Sequence, residues 1–140
     1  MRVVLDTNVI ISRFLTPHGR VARIADLWEQ GVLEVITSEA ILREYARVLR
    51  YPYQRSKHQF TDAELAEIDA AFEEFTEIVS PTETPAVIIE DPDDDHILAA
   101  ADTARVECIV TGDKHLLRLD SYKGILILSP ADFLARFYPD

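Results

Sequence analysis

Arg2-Val3-Val4-Leu5-Asp6-Thr7-Asn8 is the stretch that decides how the rest of the chain is read. A short apolar run that meets a polar turn reads as a buried strand, here ending in an acid. The same punctuation recurs late in the chain, where Glu107-Cys108-Ile109-Val110 runs into Thr111-Gly112-Asp113. Apolar runs of this kind, without alternation, belong to parallel sheets covered on both faces. Ligands of such sheets bind in the crevice beyond the carboxyl ends of the strands, and that is where Asp6 and Asp113 would stand.

Strands and helices are expected to alternate between these two points. Asn8 is a good N-cap for a helix through Phe14, and Thr16-Pro17-His18-Gly19 is a loop. Residues 20–30 put Val21, Ile24, Ala25 and Trp28 on one helical face, stopped by Gly31. Leu33–Thr37 reads as a second strand, and Ser38 caps a helix to about Arg50 that Tyr51-Pro52-Tyr53 ends. Thr61-Asp62-Ala63-Glu64 is a capping-box pattern opening a helix to about Phe75. Short extended stretches are expected at 77–80 and 86–89, then a helix from His96 to Thr103 and the strand Glu107–Val110. A helical turn over 114–119, a strand over 124–128 and a helix from Ser129-Pro130 to Tyr138 complete the series. Alternation of this kind predicts an α/β fold with a parallel sheet, and no linker divides residues 1–140, so one domain is expected.

A chain of 140 residues can bury a core without disulfides. Cys108, the single cysteine, lies in an apolar strand and reads as a small buried hydrophobe. With no basic-plus-apolar leader and no apolar run of membrane-spanning length, a cytoplasmic protein with no membrane partner is expected. The net charge of −11 argues at first against a nucleic-acid partner. Its distribution reverses that: residues 1–58 carry 9 basic and 6 acidic side chains, and residues 59–140 carry 5 basic and 19 acidic. Arg43, Arg47, Arg50, Arg55 and Lys57 cluster with only Glu44 among them. They are candidates for tracking a phosphate backbone, or else a solvated helix face followed by a loop.

Four acidic sites carry the chemistry. Asp6 could cap a helix, but Asn8 would already do that. Glu44 lies at the edge of the apolar stripe Ile41, Leu42, Tyr45, Val48 and Leu49, where glutamates are commonly structural. In Asp91-Pro92-Asp93-Asp94-Asp95, one or two acids suit a helix N-terminus, and four in five residues exceed that need. Asp95 is best placed to aim inward, with Asp93 and Asp94 toward solvent or behind it. Asp113 could equally be a cap. Carboxylates gathered on one rim repel one another, and a hard divalent cation removes the conflict, since Mg²⁺ or Mn²⁺ prefers carboxylate oxygens. The four histidines show no zinc-ligand spacing, and no P-loop, G-x-G-x-x-G or G-x-S-x-G occurs. A haloacid-dehalogenase-like phosphatase would want Asp where Asn8 stands. A receiver domain would want a middle-strand Asp where Thr37-Ser38 stands.

The ordered set Val4-Leu5-Asp6-Thr7-Asn8-Val9, Glu44 in a helix, Asp91-Pro92-Asp93-Asp94-Asp95-His96-Ile97-Leu98-Ala99-Ala100-Ala101 and Ile109-Val110-Thr111-Gly112-Asp113-Lys114-His115-Leu116-Leu117 resembles the PIN-domain family. More narrowly it is similar to VapC-like toxins of prokaryotic toxin–antitoxin modules. The resemblance spans essentially the whole chain. It implies a three-layer α/β/α sandwich with a mainly parallel sheet, and a magnesium- or manganese-dependent ribonuclease acting on single-stranded RNA. By the same resemblance Asp6, Glu44, Asp95 and Asp113 are the metal-holding acids, and Asn8 and Thr111 support them by hydrogen bonds; Asp93, from its place in the aspartate run, is a further candidate supporting acid. A homodimer and a cognate antitoxin protein are the implied partners. Family members that process RNA without being toxins, and a PIN-like fold kept only as a binding module, stand as alternatives.

Overall fold

The computed structural model describes residues 1–16, 18–84 and 92–140, with Pro92 and Asp93 described by backbone alone. The chain opens with strand β1 (Arg2–Leu5), followed by helices α1 (Thr7–Leu15) and α2 (Arg20–Glu29). Strand β2 (Glu34–Ser38) leads into α3 (Glu39–Leu49), α4 (Pro52–His58) and α5 (Asp62–Phe75), and then β3 (Glu77–Val79). Helix α6 (Pro92–Ala104), strand β4 (Cys108–Val110) and the short α7 (Lys114–Leu117) come next. Strands β5 (Ser121–Tyr122) and β6 (Ile125–Leu128) precede α8 (Pro130–Phe137).

Six strands form one sheet in the order β3-β2-β1-β4-β6-β5, and only β5 runs antiparallel to its neighbour. The central strands are apolar through their length because both faces are covered: Val3, Val4, Cys108, Ile109 and Val110 are fully buried. Helix α6 packs on β1, β2 and β4, while α3 packs on α1, α5 and β2. This is the expected α/β sandwich with its mainly parallel sheet. No described helix is long and apolar enough to cross a membrane.

Local chemistry explains most boundaries. Gly31, at φ 76°, supplies the left-handed residue that ends α2. Ser38 Oγ accepts the Ile41 N–H at 3.3 Å, and the Thr61–Glu64 capping box is closed in both directions.

Four expectations are corrected. The N-cap of α1 is Asp6 itself, whose carboxylate accepts the Thr7 N–H at 2.7 Å, and Asn8 is the second helical residue. The strand ends one residue before Asp6, so the nearest side-chain acceptor takes the cap. Tyr51-Pro52 does not begin a loop, since Pro52 at the first helical position starts α4, and Arg55 and Lys57 are helical. Helix α6 begins at Pro92, four residues before the expected start. The two-residue strand β5 was not anticipated, being too short to carry a pattern. The extended stretch expected at 86–89 lies outside the described residues.

Candidate metal and nucleic-acid site

Strand order creates the site. From β1 the chain moves outward to β2 and β3, then crosses to β4 on the other side of β1. The direction reverses between β1 and β4, and at such a switch point the loops leaving two adjacent strands part and open a crevice. The register pairs Leu5 with Val110, so the next residue on each strand, Asp6 and Thr111, faces the other across the strand tips. The Asp6 N–H donates to the Val110 carbonyl at 2.9 Å, which holds the tips together.

A hydrogen-bonded chain joins the two tips. Thr111 Oγ1 donates to Asp6 Oδ2 at 2.6 Å and accepts the Asp113 N–H at 2.9 Å. Asp113 Oδ1 in turn accepts the His115 N–H at 2.7 Å, so Asp113 caps α7. Asp6 and Thr111 are buried, and Asp113 is half-buried. Thr111 is thus where a supporting residue was expected. Asn8 is exposed, and its amide makes no hydrogen bond to an acid among the described residues.

Helix α3 brings the third acid. Tyr45 is fully buried on its apolar stripe, and its hydroxyl donates to the carbonyl of Leu5, the last residue of β1. Burial first, then the nearby charges of Asp6 and Glu44, push the Tyr45 hydroxyl well above its ordinary pKa. The phenol therefore lies within electrostatic reach of both carboxylates. Glu44 itself is half-buried.

Asp95 stands in the first turns of α6, 5% exposed, and Asp94 beside it is 4% exposed. Asp94 was expected toward solvent or behind Asp95, and its burial removes the first of these. The early start of α6 places both residues in a turn already under cover. Helix α6 touches α3 and β1, the elements carrying Glu44 and leading to Asp6. Asp93, expected to assist, lies outside the described side chains. Among the described residues no three acidic, histidine or cysteine side chains stand close enough to hold an ion by themselves.

The candidate phosphate-tracking cations are largely engaged. Arg43 pairs with Glu39 at 3.3 Å, Arg55 with Asp62 at 2.7 Å, and Lys57 lies 5.6 Å over the Tyr53 ring. Arg50, expected on the solvated face, is half-buried and clamps Asp69 of α5 at 2.7 and 3.4 Å. Cys108 is buried as expected, which pushes its thiol up to about 12.

A family model described as the PIN domain matches residues 2–115. The chain belongs to the PIN-domain family. The matched stretch runs from the first strand through Asp113 and so contains all four acids. The uncharacterized protein MJ1680 of Methanocaldococcus jannaschii is 31% identical to this PIN domain over 145 residues, covering 98% of this chain and 92% of its own length. PAE2754 from Pyrobaculum aerophilum superposes with a TM-score of 0.60 at 14% identity, over 97% of this chain and 88% of its own. A chain from the crystal structure of VapBC2 from Rickettsia felis, bound to a DNA fragment from their promoter, gives 0.58 at 14% identity, over 92% of this chain and 98% of its own. At such identities the two structures share the PIN fold with this chain.

Tyr45 is the site residue that sequence reasoning passed over. It was counted among the apolar stripe of α3, and the available signal was a hydroxyl placed on a face that is otherwise aliphatic.

Proposed function

We propose that this PIN domain is a Mg²⁺- or Mn²⁺-dependent endoribonuclease acting on single-stranded RNA. The observation that carries the reading is the relay from Asp113 through Thr111 to Asp6 across the tips of β1 and β4. The donor set suits a hard cation. The Asp6 carboxylate accepts from the Thr7 N–H and from the Thr111 hydroxyl, one on each oxygen, and oxygen donors of this kind are the ones a hard cation prefers. Mg²⁺ needs only one or two carboxylates and keeps several waters, so a closed cage of three acids is not required. Asp6, Asp95 and Asp113 would hold the ion, and Glu44 would hold a second ion or orient the attacking water.

A bound divalent cation would supply water of lowered pKa and neutralise charge on the leaving oxygen of an in-line displacement. The chain's own part is positional. Thr111 fixes the Asp6 carboxylate by donating to it, and the cap on α7 orients Asp113. Tyr45 ties the end of β1 to α3, so that Asp6 and Glu44 keep a constant separation.

Cleavage of a labelled single-stranded RNA should require Mg²⁺ or Mn²⁺, and Asp95→Asn should abolish it while the circular dichroism spectrum stays native. Undiminished cleavage by Asp95→Asn, or cleavage in excess chelator, would refute the assignment. The narrower reading, a VapC-like toxin held by a cognate antitoxin, is supported by the likeness in fold to a VapBC2 chain. Induced expression should then arrest growth, and Asp95→Asn should relieve the arrest; equal growth of cells expressing either form would favour a non-toxic RNA-processing role.

A further inference from the structure

We propose that Lys114 and Arg118, the first residue and the C-cap of the short helix behind Asp113, are the principal contacts to the phosphate backbone of the RNA strand. The inference rests on the ribonuclease reading and assigns the strand's path at that site.

An acidic rim that takes a polyanion must offset repulsion with cations whose charge is not already spent. In the basic cluster of α3 and α4, Arg43, Arg50 and Arg55 each face a carboxylate, and in the acidic half Lys123 pairs with Asp102 at 3.1 Å. Lys114 and Arg118 differ. Both are exposed, and among the described residues neither makes an ion pair, although residues 59–140 carry 19 acids.

Arg118 is also held in place. Its Nε donates to the Lys114 carbonyl at 3.4 Å, and a terminal nitrogen contacts His115 Nδ1 at 2.6 Å. A guanidinium nitrogen only donates, and neither the carbonyl nor the ring nitrogen it meets is a carboxylate, so both partners orient the guanidinium without cancelling it. A preset planar fork suits a phosphate, and ordering it in advance lowers the entropy lost on binding. The helix is joined to the acids through the bonds His115 N–H to Asp113, Asp113 N–H to Thr111 and Thr111 hydroxyl to Asp6. A phosphate gripped here is therefore in register with the acidic crevice.

The test is binding of a fluorescein-labelled single-stranded oligoribonucleotide, followed by anisotropy in Mg²⁺ across a potassium chloride series. Asp95→Asn serves as the non-cleaving parent. Adding Lys114→Ala or Arg118→Ala should weaken binding and make the log–log salt slope shallower by about 0.7 per cation removed from a single-strand contact. Arg118→Lys should recover the slope and not the full affinity. Arg105→Ala, an exposed cation at the far end of β4, should leave the slope as in the parent. An unchanged slope in the Lys114→Ala, Arg118→Ala pair, with the slope lost instead in Arg43→Ala or Arg55→Ala, overturns this proposal and spares the ribonuclease reading. A parent that binds no single-stranded RNA overturns both.

Discussion

Tyr45 shows how much one hydroxyl can organise. Its ring fills the core beside Phe72, with centroids 5.3 Å apart, while its oxygen reaches the Leu5 carbonyl at the tip of β1. Tyr45→Phe keeps the packing and leaves that buried carbonyl without its donor, at a cost of roughly 1–3 kcal/mol by denaturant titration. The same variant should alter the alkaline limb of the stability profile. The native phenol ionises well above its ordinary value while the unfolded one ionises near pH 10, so its contribution is complete below about pH 10 and drains away as pH rises further. The difference in unfolding free energy between wild type and Tyr45→Phe should therefore shrink above pH 10, and a difference constant to pH 11.5 would contradict that assignment. Among residues, the places of Asp6 beyond β1 and of Asp113 beyond β4 were legible, because each comes after an apolar run. The partner of Asp6 was less so: Asn8 and Thr111 were both expected to support the acids, and the register of β1 on β4 left the bond to Thr111.

At the scale of elements, caps decide where helices begin. The box at the start of α5 is closed by Thr61 Oγ1 accepting the Glu64 N–H at 3.1 Å and Glu64 accepting the Thr61 N–H at 3.0 Å. Thr61→Ala should cost about 1 kcal/mol in thermal or urea unfolding with little change in RNA cleavage, because α5 contributes no acid to the rim. Equal stability of variant and wild type would mean that water replaces the cap at no cost. Elements with a strong local signature were readable: the capping box, Ser38, Gly31 and Ser129-Pro130 each mark a real boundary. Helix α4 was not, because Tyr51-Pro52 suits the end of one helix and the start of another equally well. A seven-residue helix with no buried side chain carries no periodicity to break the tie.

Across the whole molecule, the order of strands is what sets the tips of β1 and β4 side by side, so that Thr111 links Asp113 to Asp6. Under the metal-dependent reading, Mg²⁺ binds only the native arrangement and so stabilises it. At ten times the dissociation constant the gain is about 1.4 kcal/mol, or a rise of roughly 3–5 °C in melting temperature. Calorimetry should show that rise in the wild type and lose it in an Asp6→Asn, Asp95→Asn double variant, and identical metal response in the two would count against the site. Periodicity, caps and turn residues act over a few positions, so the residues alone determined the succession of strands and helices, the apolar centre of the sheet and the acids that follow β1 and precede α7. The hydroxyl of Thr111 on Asp6, 105 residues away, and the Tyr45 hydroxyl on Leu5 were settled only when the chain crossed from β3 to β4. So were the burial of Asp94 and the pairing of Arg50 with Asp69. Such contacts depend on which elements become neighbours, and that is decided by burying apolar surface across the entire sheet, a quantity to which no local stretch of sequence corresponds.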